Sequence, residues 1–122
     1  MEEWIKRECA EQLLTLALQR PAVVVTGARQ TGKAALVRHL FPDHTYVSLE
    51  LPTEAEQAER DPRSFLERHQ APVIIDEVQY APGLFRHLKT AIDTNREQNG
   101  RFILTGSQKF ALMKSVSFEP AR

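Results

Sequence analysis

The chain has 122 residues, of which 42% are hydrophobic and 26% charged, and its 16 Lys and Arg balance its 16 Asp and Glu. This length suits one compact domain and is too short for two of ordinary size. The composition excludes a disordered polar chain, a collagen-like repeat and a cysteine-rich secreted scaffold. A net charge of zero gives no support to nucleic-acid or lipid binding by the whole surface. We therefore expect a single soluble domain over residues 1–122.

The N-terminal part of the chain predicts a helix followed by a buried strand. Apolar residues recur among charges over residues 2–19 at helical spacing, and Pro21 ends this pattern. Residues 22–25 form an unbroken apolar run that is mostly β-branched, typical of a strand covered on both faces in a parallel sheet. A helix over residues 33–40 and a weaker strand over residues 46–49 follow.

The second half of the chain continues this alternation of helices and strands. Residues 51–70 are polar, with several acidic side chains early in the segment. The predicted elements are a short helix from the Asp61 and Pro62 pair, a strand over 73–75, a helix over 84–94, a strand over 102–104 and a helix after residue 110. Strands that alternate with helices favour βαβ crossovers and a parallel α/β architecture.

In parallel α/β sheets, ligands bind outside the carboxyl ends of the strands. The loops at these ends follow Val25, Leu49, Ile75 and Leu104. The first of them carries the pattern G-x-x-x-x-G-K from Gly27 to Lys33, which is the phosphate-binding loop, or Walker A motif. Its glycines allow successive backbone N–H groups to face phosphate oxygens.

This motif defines the predicted nucleotide-binding residues. They are Gly27, Ala28, Arg29, Gln30, Thr31, Gly32, Lys33, Ala34 and Ala35. Lys33 is predicted to reach the β- and γ-phosphates, whereas Arg29 and Gln30 contact a γ-phosphate, contact a partner or are solvated. The alternative is a tight strand-to-helix turn with a solvated lysine.

Two carboxylates follow the strand over residues 73–75, which gives that segment the form of a Walker B element. Asp76 is suited to hold Mg²⁺, usually through water, and Glu77 to polarise the water that attacks the γ-phosphorus. The alternative is a solvated acidic turn. After the last strand, Thr105, Ser107 and Gln108 are candidates for a polar contact to the γ-phosphate or the water. The predicted catalytic residues are Lys33, Glu77 and Ser107.

The segments GARQTGK, VIIDEVQYAPGLF and RFILTGSQKFALMKSVS resemble the N-terminal ATPase domain of a group of uncharacterised bacterial and archaeal AAA-type proteins. The resemblance runs from Trp4 to Ser117, and such proteins usually carry a further C-terminal domain. It implies a three-layer P-loop NTPase fold of the ASCE class. In that fold the strand bearing Ser107 lies between the strand before Gly27 and the strand bearing Asp76.

The resemblance also implies ATP or ADP and Mg²⁺ as ligands, with Lys33, Asp76 and Glu77 at matching positions. It divides the chain into an N-terminal helix, residues 2–19, and a nucleotide-binding core, residues 21–117. The first residues, Trp4 to Arg7, either contact the adenine or pack as a hydrophobic staple.

Two departures from the family pattern affect these expectations. Ala34 stands where the family has Thr, whose hydroxyl coordinates Mg²⁺ directly, so we expect nucleotide binding to be retained and hydrolysis impaired. The resemblance ends near Ser117, so we expect a sheet that is incomplete at the C-terminus, as in a truncated product. The strand over residues 22–25 then becomes a sheet edge. Another copy of the chain or the N-terminal helix is expected to cover it.

The sequence thus predicts ATP binding with weak Mg²⁺-dependent hydrolysis, as part of an AAA-type ATPase. The alternative is a nucleotide-binding regulatory module without turnover, and we leave open whether the chain is an enzyme. A kinase for a small substrate is a third reading, for which no acceptor-binding residues are evident. The expected partners are the nucleotide and either a second copy or an unidentified protein.

The location expected for the chain follows from what its sequence lacks. No apolar run approaches the roughly 20 residues of a membrane helix, and the N-terminus is too charged for a signal peptide. The single cysteine, Cys9, calls for no oxidising compartment. The four histidines lack the spacing of a zinc site. We expect a cytoplasmic protein without membrane contact.

Overall fold

The computed structural model describes residues 2–26, 32–94 and 98–106, without the side chains of residues 2–9 and 94. It contains five α-helices and four β-strands within these ranges. In chain order they are α1 (Glu2–Gln19), β1 (Ala22–Thr26), α2 (Lys33–Leu40), β2 (Thr45–Ser48), α3 (Pro52–Arg60), α4 (Pro62–Arg68), β3 (Val73–Asp76), α5 (Pro82–Thr94) and β4 (Phe102–Gly106). A short 3₁₀ helix, Val78–Tyr80, lies between β3 and α5.

The four strands form one parallel sheet in the order β1-β4-β3-β2. The last strand within the described ranges, β4, is therefore inserted between β1 and β3. Leu104 of β4 is in register with Val24 of β1 on one side and with Ile75 of β3 on the other. This is the order that the family resemblance implies, and it confirms that expectation.

Helices cover both faces of the sheet. On one face, Val24, Ile75 and Leu104 pack into a core cluster with residues from α3, α4 and α5. The next residues back along the three strands, Val23, Ile74 and Ile103, point to the other face, since successive side chains in a strand alternate. There they pack with α1 and α2. The predicted three-layer α/β architecture is therefore confirmed.

The apolar runs correctly predicted strands that helices cover on both faces. All four residues of β3 and all five of β4 are buried, because each strand has a neighbour on both sides and helices above and below. Helices α1 and α2 have the predicted bounds, while α5 begins two residues earlier, at Pro82. The helix predicted after residue 110 lies outside the described residues.

The sequence reading missed α3. This helix of nine residues is mostly charged and polar, so its apolar stripe consists of alanines. Ala58 is fully buried and Ala55 packs against the same core, which is sufficient to seat the helix on the sheet. Pro52 at its first position fits the start of a helix. A stripe of small side chains carries little hydropathy signal, which explains the omission.

The edge of the sheet at β1 agrees in part with expectation. Within the described ranges β1 pairs with β4 alone. Helix α1 packs through Leu13 and Ala17 onto the face of the sheet that carries Val23. It therefore covers the face of this strand. That a second copy covers its edge stays a prediction.

Phe65 of α4 provides a test of the packing described above. Its side chain is fully buried in the cluster beneath α3, α4 and α5. Phe65→Ala should lower the free energy of unfolding by about 3–5 kcal/mol, since it removes apolar contacts and leaves a cavity. Urea denaturation measures this change. The matched control is Leu51→Ala, whose side chain is 57% exposed, and an equal loss in both variants would contradict the described core.

Candidate functional site

The carboxyl ends of the parallel strands meet at one edge of the sheet. Gly32 and Lys33, the first residues described after the loop that follows β1, lie at this end, where α2 begins. Gly32 has a φ of 77°, a left-handed conformation that favours glycine, and an added Cβ would meet no atom within 4 Å. The residues predicted to bind nucleotide before it, 27–31, lie outside the described ranges.

Lys33 is the first residue of α2 and points into the protein. Only 5% of it is exposed, although a lysine is rarely buried without a partner. Its Nζ lies 3.5 Å from Oε2 of Glu77, which is equally buried. Ala34, which follows it, is half-buried, and Ala35 is exposed. The structure thus brings together the lysine and one of the carboxylates that the sequence singled out.

Glu77 adopts an unusual backbone conformation at the end of β3. Its φ of 57° and ψ of 52° are left-handed, a region that non-glycine residues enter at a cost of about 1–2 kcal/mol. Its N–H donates to Thr105 Oγ1 at 2.9 Å. Its Oε1 accepts from Gln79 Nε2 at 2.8 Å. Such strain persists only where surrounding contacts hold it, and it is concentrated at functional sites.

Asp76 accepts hydrogen bonds from three hydroxyl groups. Tyr46 Oη and Ser48 Oγ donate to its Oδ2 at 3.0 and 3.2 Å, and Thr105 Oγ1 donates to its Oδ1. Tyr46 and Ser48 lie on β2 and Thr105 lies on β4, the two strands that flank β3. Asp76 is thus fixed from both sides at the middle of the sheet.

Thr105 joins the two carboxylate residues. Its hydroxyl donates to Asp76 and accepts from the N–H of Glu77, which uses the donor and one acceptor site of the group. The sequence offered Thr105 as a contact for a γ-phosphate or water. The structure instead places its fully buried side chain beneath the carboxylates. Ser107, the predicted catalytic hydroxyl beyond it, lies outside the described ranges.

Burial raises the pKa of the Tyr46 phenol above its usual 10.0, and the negative charge of Asp76 raises it further. The phenol therefore stays protonated throughout the neutral range and continues to donate to Asp76. The Arg38 guanidinium stacks 4.3 Å from the centre of the Tyr46 ring. The ring borders an open cleft of about 510 Å³ that Ala35 and Ile74 also line.

Three side chains at this site were missed by the sequence reading: Tyr46, Ser48 and Gln79. The spacing of Tyr46 and Ser48, two residues apart on a strand, places both on one face of the sheet. That signal was available, but only the strand order shows that β2 lies beside β3. Gln79 gave a weaker signal, since nothing in the sequence shows that the chain turns into a 3₁₀ helix after Glu77.

The described residues fit a nucleotide and Mg²⁺ in the following way. No group of three or more His, Cys, Asp or Glu in these ranges is arranged to hold a metal ion. Mg²⁺ does not need such a group, because it is commonly bound by one or two carboxylates together with substrate phosphates and water. The buried Asp76 carboxylate meets that requirement.

In the same part of the chain, no helix is long and apolar enough to cross a membrane.

Comparison with known proteins places these residues in a family. The model of the AAA domain family matches residues 19–122. Two uncharacterized mycobacterial proteins, from Mycobacterium bovis and Mycobacterium tuberculosis, are each 36% identical to the chain over 107 residues. The matched segment is 84% of this chain and 24% of each relative, so the chain spans about a quarter of the length of these relatives.

Tyr46→Phe tests the hydroxyl contacts of Asp76. The change keeps the ring and removes one donor, so the free energy of unfolding should fall by about 0.5–1.5 kcal/mol at pH 7. Because its pKa is raised, the phenol contributes fully to the free energy of unfolding below pH 10.0. This contribution decreases as the pH rises through the pKa of the phenol in the folded state. The difference between the two proteins should therefore shrink above that pH.

Urea denaturation at pH 7 and in the alkaline range measures both effects. Tyr80→Phe is the control, because the Tyr80 side chain is 44% exposed and its hydroxyl does not contact Asp76. A pH-independent difference for Tyr46→Phe would contradict the role assigned to its hydroxyl.

Proposed function

Because this chain belongs to the AAA domain family, a family of nucleotide-binding, ATPase-like domains, we propose that it binds ATP and ADP and hydrolyses ATP slowly with Mg²⁺. One observation carries the proposal. Lys33 at the start of α2 and Glu77 at the end of β3 are buried together, with 3.5 Å between Nζ and Oε2, beside the carboxylate of Asp76. A cation for phosphate and a base for water thus lie in contact.

The binding step uses the start of α2. The N-terminus of a helix presents free N–H groups and the positive end of its dipole, which favours a phosphate group. Gly32 leaves open space where a side chain would stand, so a ligand can approach the backbone closely. We propose that Lys33 turns from Glu77 to the β- and γ-phosphates. The contribution of residues 27–31 stays a prediction from the sequence motif.

The charges of the described site agree with a metal that arrives with the nucleotide. Asp76 and Glu77 carry two negative charges against the single positive charge of Lys33, so a triphosphate needs further positive charge nearby. Mg²⁺ would supply it by neutralising phosphate oxygens. We propose that Asp76 holds the ion through water. The hydroxyls of Tyr46, Ser48 and Thr105 would keep that carboxylate in place.

In the chemical step we propose that Glu77 acts on the attacking water. The water oxygen forms a bond to the γ-phosphorus while the bond to the β-phosphate bridging oxygen breaks, and ADP leaves with that electron pair. Glu77 Oε2 accepts the proton that the water loses. The products are ADP and inorganic phosphate. The predicted part of Ser107, a contact to the γ-phosphate or the water, stays in the proposal as a sequence inference.

Ala34 supports a second candidate, a nucleotide-binding module that orders itself for a partner protein without turnover. Its methyl group offers no oxygen to Mg²⁺, so a water must take that position in the ion's shell. Glu77 supports hydrolysis, because a module that only binds has no need for a buried carboxylate beside the lysine. We propose that the chain hydrolyses ATP, and that turnover is slow because Ala34 offers no oxygen to Mg²⁺. A second copy of the chain or another protein as partner belongs to this proposal.

Lys33→Met tests nucleotide binding. The change removes the cation but keeps much of the apolar stem, so affinity for ATP should fall at least about tenfold, as expected for loss of a charge-assisted contact. Calorimetric titration with and without Mg²⁺ measures this change. Lys89→Met, on an exposed part of α5, is the matched control. If both variants melt cooperatively and bind ATP with equal affinity, Lys33 does not take part in nucleotide binding.

Ala34→Thr tests the missing hydroxyl. Restoring one ligand should raise the rate of phosphate release from Mg²⁺-ATP about tenfold, corresponding to an interaction worth roughly 1–3 kcal/mol. Binding of ADP without Mg²⁺ should change little. Lys89→Thr introduces the same residue on an exposed part of α5, outside the predicted nucleotide-binding residues, and serves as the control. If Ala34→Thr releases phosphate no faster than the unsubstituted protein, the explanation for slow turnover is wrong.

A further inference from the structure

The two oxygens of the Glu77 carboxylate have different partners. Oε1 accepts a hydrogen bond from the side-chain amide of Gln79 at 2.8 Å, a normal length for such a bond. Oε2 faces Lys33 at 3.5 Å, which is long for a charge-assisted contact. The closer contact is therefore the one to the neutral amide. Rotation of the carboxylate about its last bond by less than a half-turn would break this hydrogen bond.

The backbone holds Gln79 in a constant position relative to Glu77. Gln79 is the middle residue of the 3₁₀ helix that starts directly after Glu77. The N–H of Tyr80 bonds to the carbonyl of Glu77 at 3.2 Å, and the N–H of Ala81 bonds to the carbonyl of Val78 at 3.1 Å. Val78 and Ala81 are fully buried in the core, so this turn is anchored at both ends. The left-handed backbone of Glu77 begins it.

We propose that Gln79 is a positioning residue for Glu77, an inference that rests on the proposed function of the site. By holding Oε1, the amide directs Oε2 toward Lys33 and the phosphate pocket. When a phosphate group takes Lys33, Oε2 loses that partner and becomes the oxygen that accepts the proton of the attacking water. The amide keeps its hydrogen bond throughout, so the carboxylate of Glu77 is already in its reactive orientation when the nucleotide binds.

A purely structural role for Gln79 makes a different prediction. Gln79 is half-buried, and Met fills nearly the same volume with a side chain of the same length. If the residue only fills space beside Glu77, Gln79→Met should leave the site unchanged. If its N–H donor holds the carboxylate, Gln79→Met should release it although packing is preserved. Gln79→Ala removes both the donor and the volume, and Gln70→Met changes an exposed glutamine as the control.

The first measurement does not need turnover. In protein with isotope-labelled lysine, the side-chain NMR resonance of Lys33, assigned by its loss in Lys33→Met, reports the position of the facing carboxylate. Gln79→Met should shift this resonance, and so should ADP added to the unsubstituted protein, whereas Gln70→Met should not. A Lys33 resonance that stays in place in both Gln79 variants would overturn the proposal, whatever the rate of hydrolysis.

The second measurement separates positioning from binding. In the Ala34→Thr background, Gln79→Met should lower kcat for ATP about tenfold with KM unchanged within about twofold, since the nucleotide contacts stay intact. A raised KM with unchanged kcat would overturn the proposal. If no background hydrolyses ATP but Gln79→Met still moves the Lys33 resonance, the proposed turnover fails while the positioning of Glu77 by Gln79 is supported.

Discussion

The carboxylate of Asp76 is the group on which the rest of the site depends. It is buried at the end of a central strand, where an ionised side chain without donors would destabilise the fold by several kcal/mol. Hydroxyls from β2 and β4 remove this penalty, and they can do so only if β3 lies between those two strands. The same contacts that satisfy the charge therefore favour the observed strand order over alternatives. The hydrogen bonds of Asp76 thus both stabilise the fold and hold the carboxylate in place at the candidate site.

A buried ion pair, Lys33 and Glu77, extends this arrangement toward the start of α2. Both side chains are buried, and each charge stabilises the other. In the proposed function, a phosphate group offers Lys33 a stronger partner, while Glu77 keeps the amide of Gln79 and the anchored turn behind it. The strained backbone at Glu77 is held by Thr105, which also contacts Asp76. The carboxylates are thus linked through one threonine.

Most of the fold was predictable because three of its described strands, β1, β3 and β4, are short, apolar and largely buried on both faces. Such runs need helices above and below, and the helical patterns between them provide these. Helix α3 escaped prediction since its buried side chains are alanines, and α5 begins earlier than its apolar stripe because Pro82 and Gly83 lack a helical signal. At the site, Lys33, Asp76 and Glu77 were predictable from motif spacing. Tyr46, Ser48 and Gln79 were not, because Tyr46 and Ser48 contact a residue that is distant in the chain, and Gln79 contacts Glu77 across a turn.

The sequence by itself determined the class of the sheet, the position of the G-x-x-x-x-G-K motif and the two acidic residues at the end of β3. Local patterns suffice for this, since each lies within one segment of the chain. Only the tertiary structure decided which side chains surround those residues, because contacts between β2, β3 and β4 depend on how strands that are far apart in the chain pair side by side. The net charge of zero does not describe the charges at the site. The buried Lys33 faces Glu77, next to a second buried carboxylate, Asp76, a local arrangement of charges that composition cannot show.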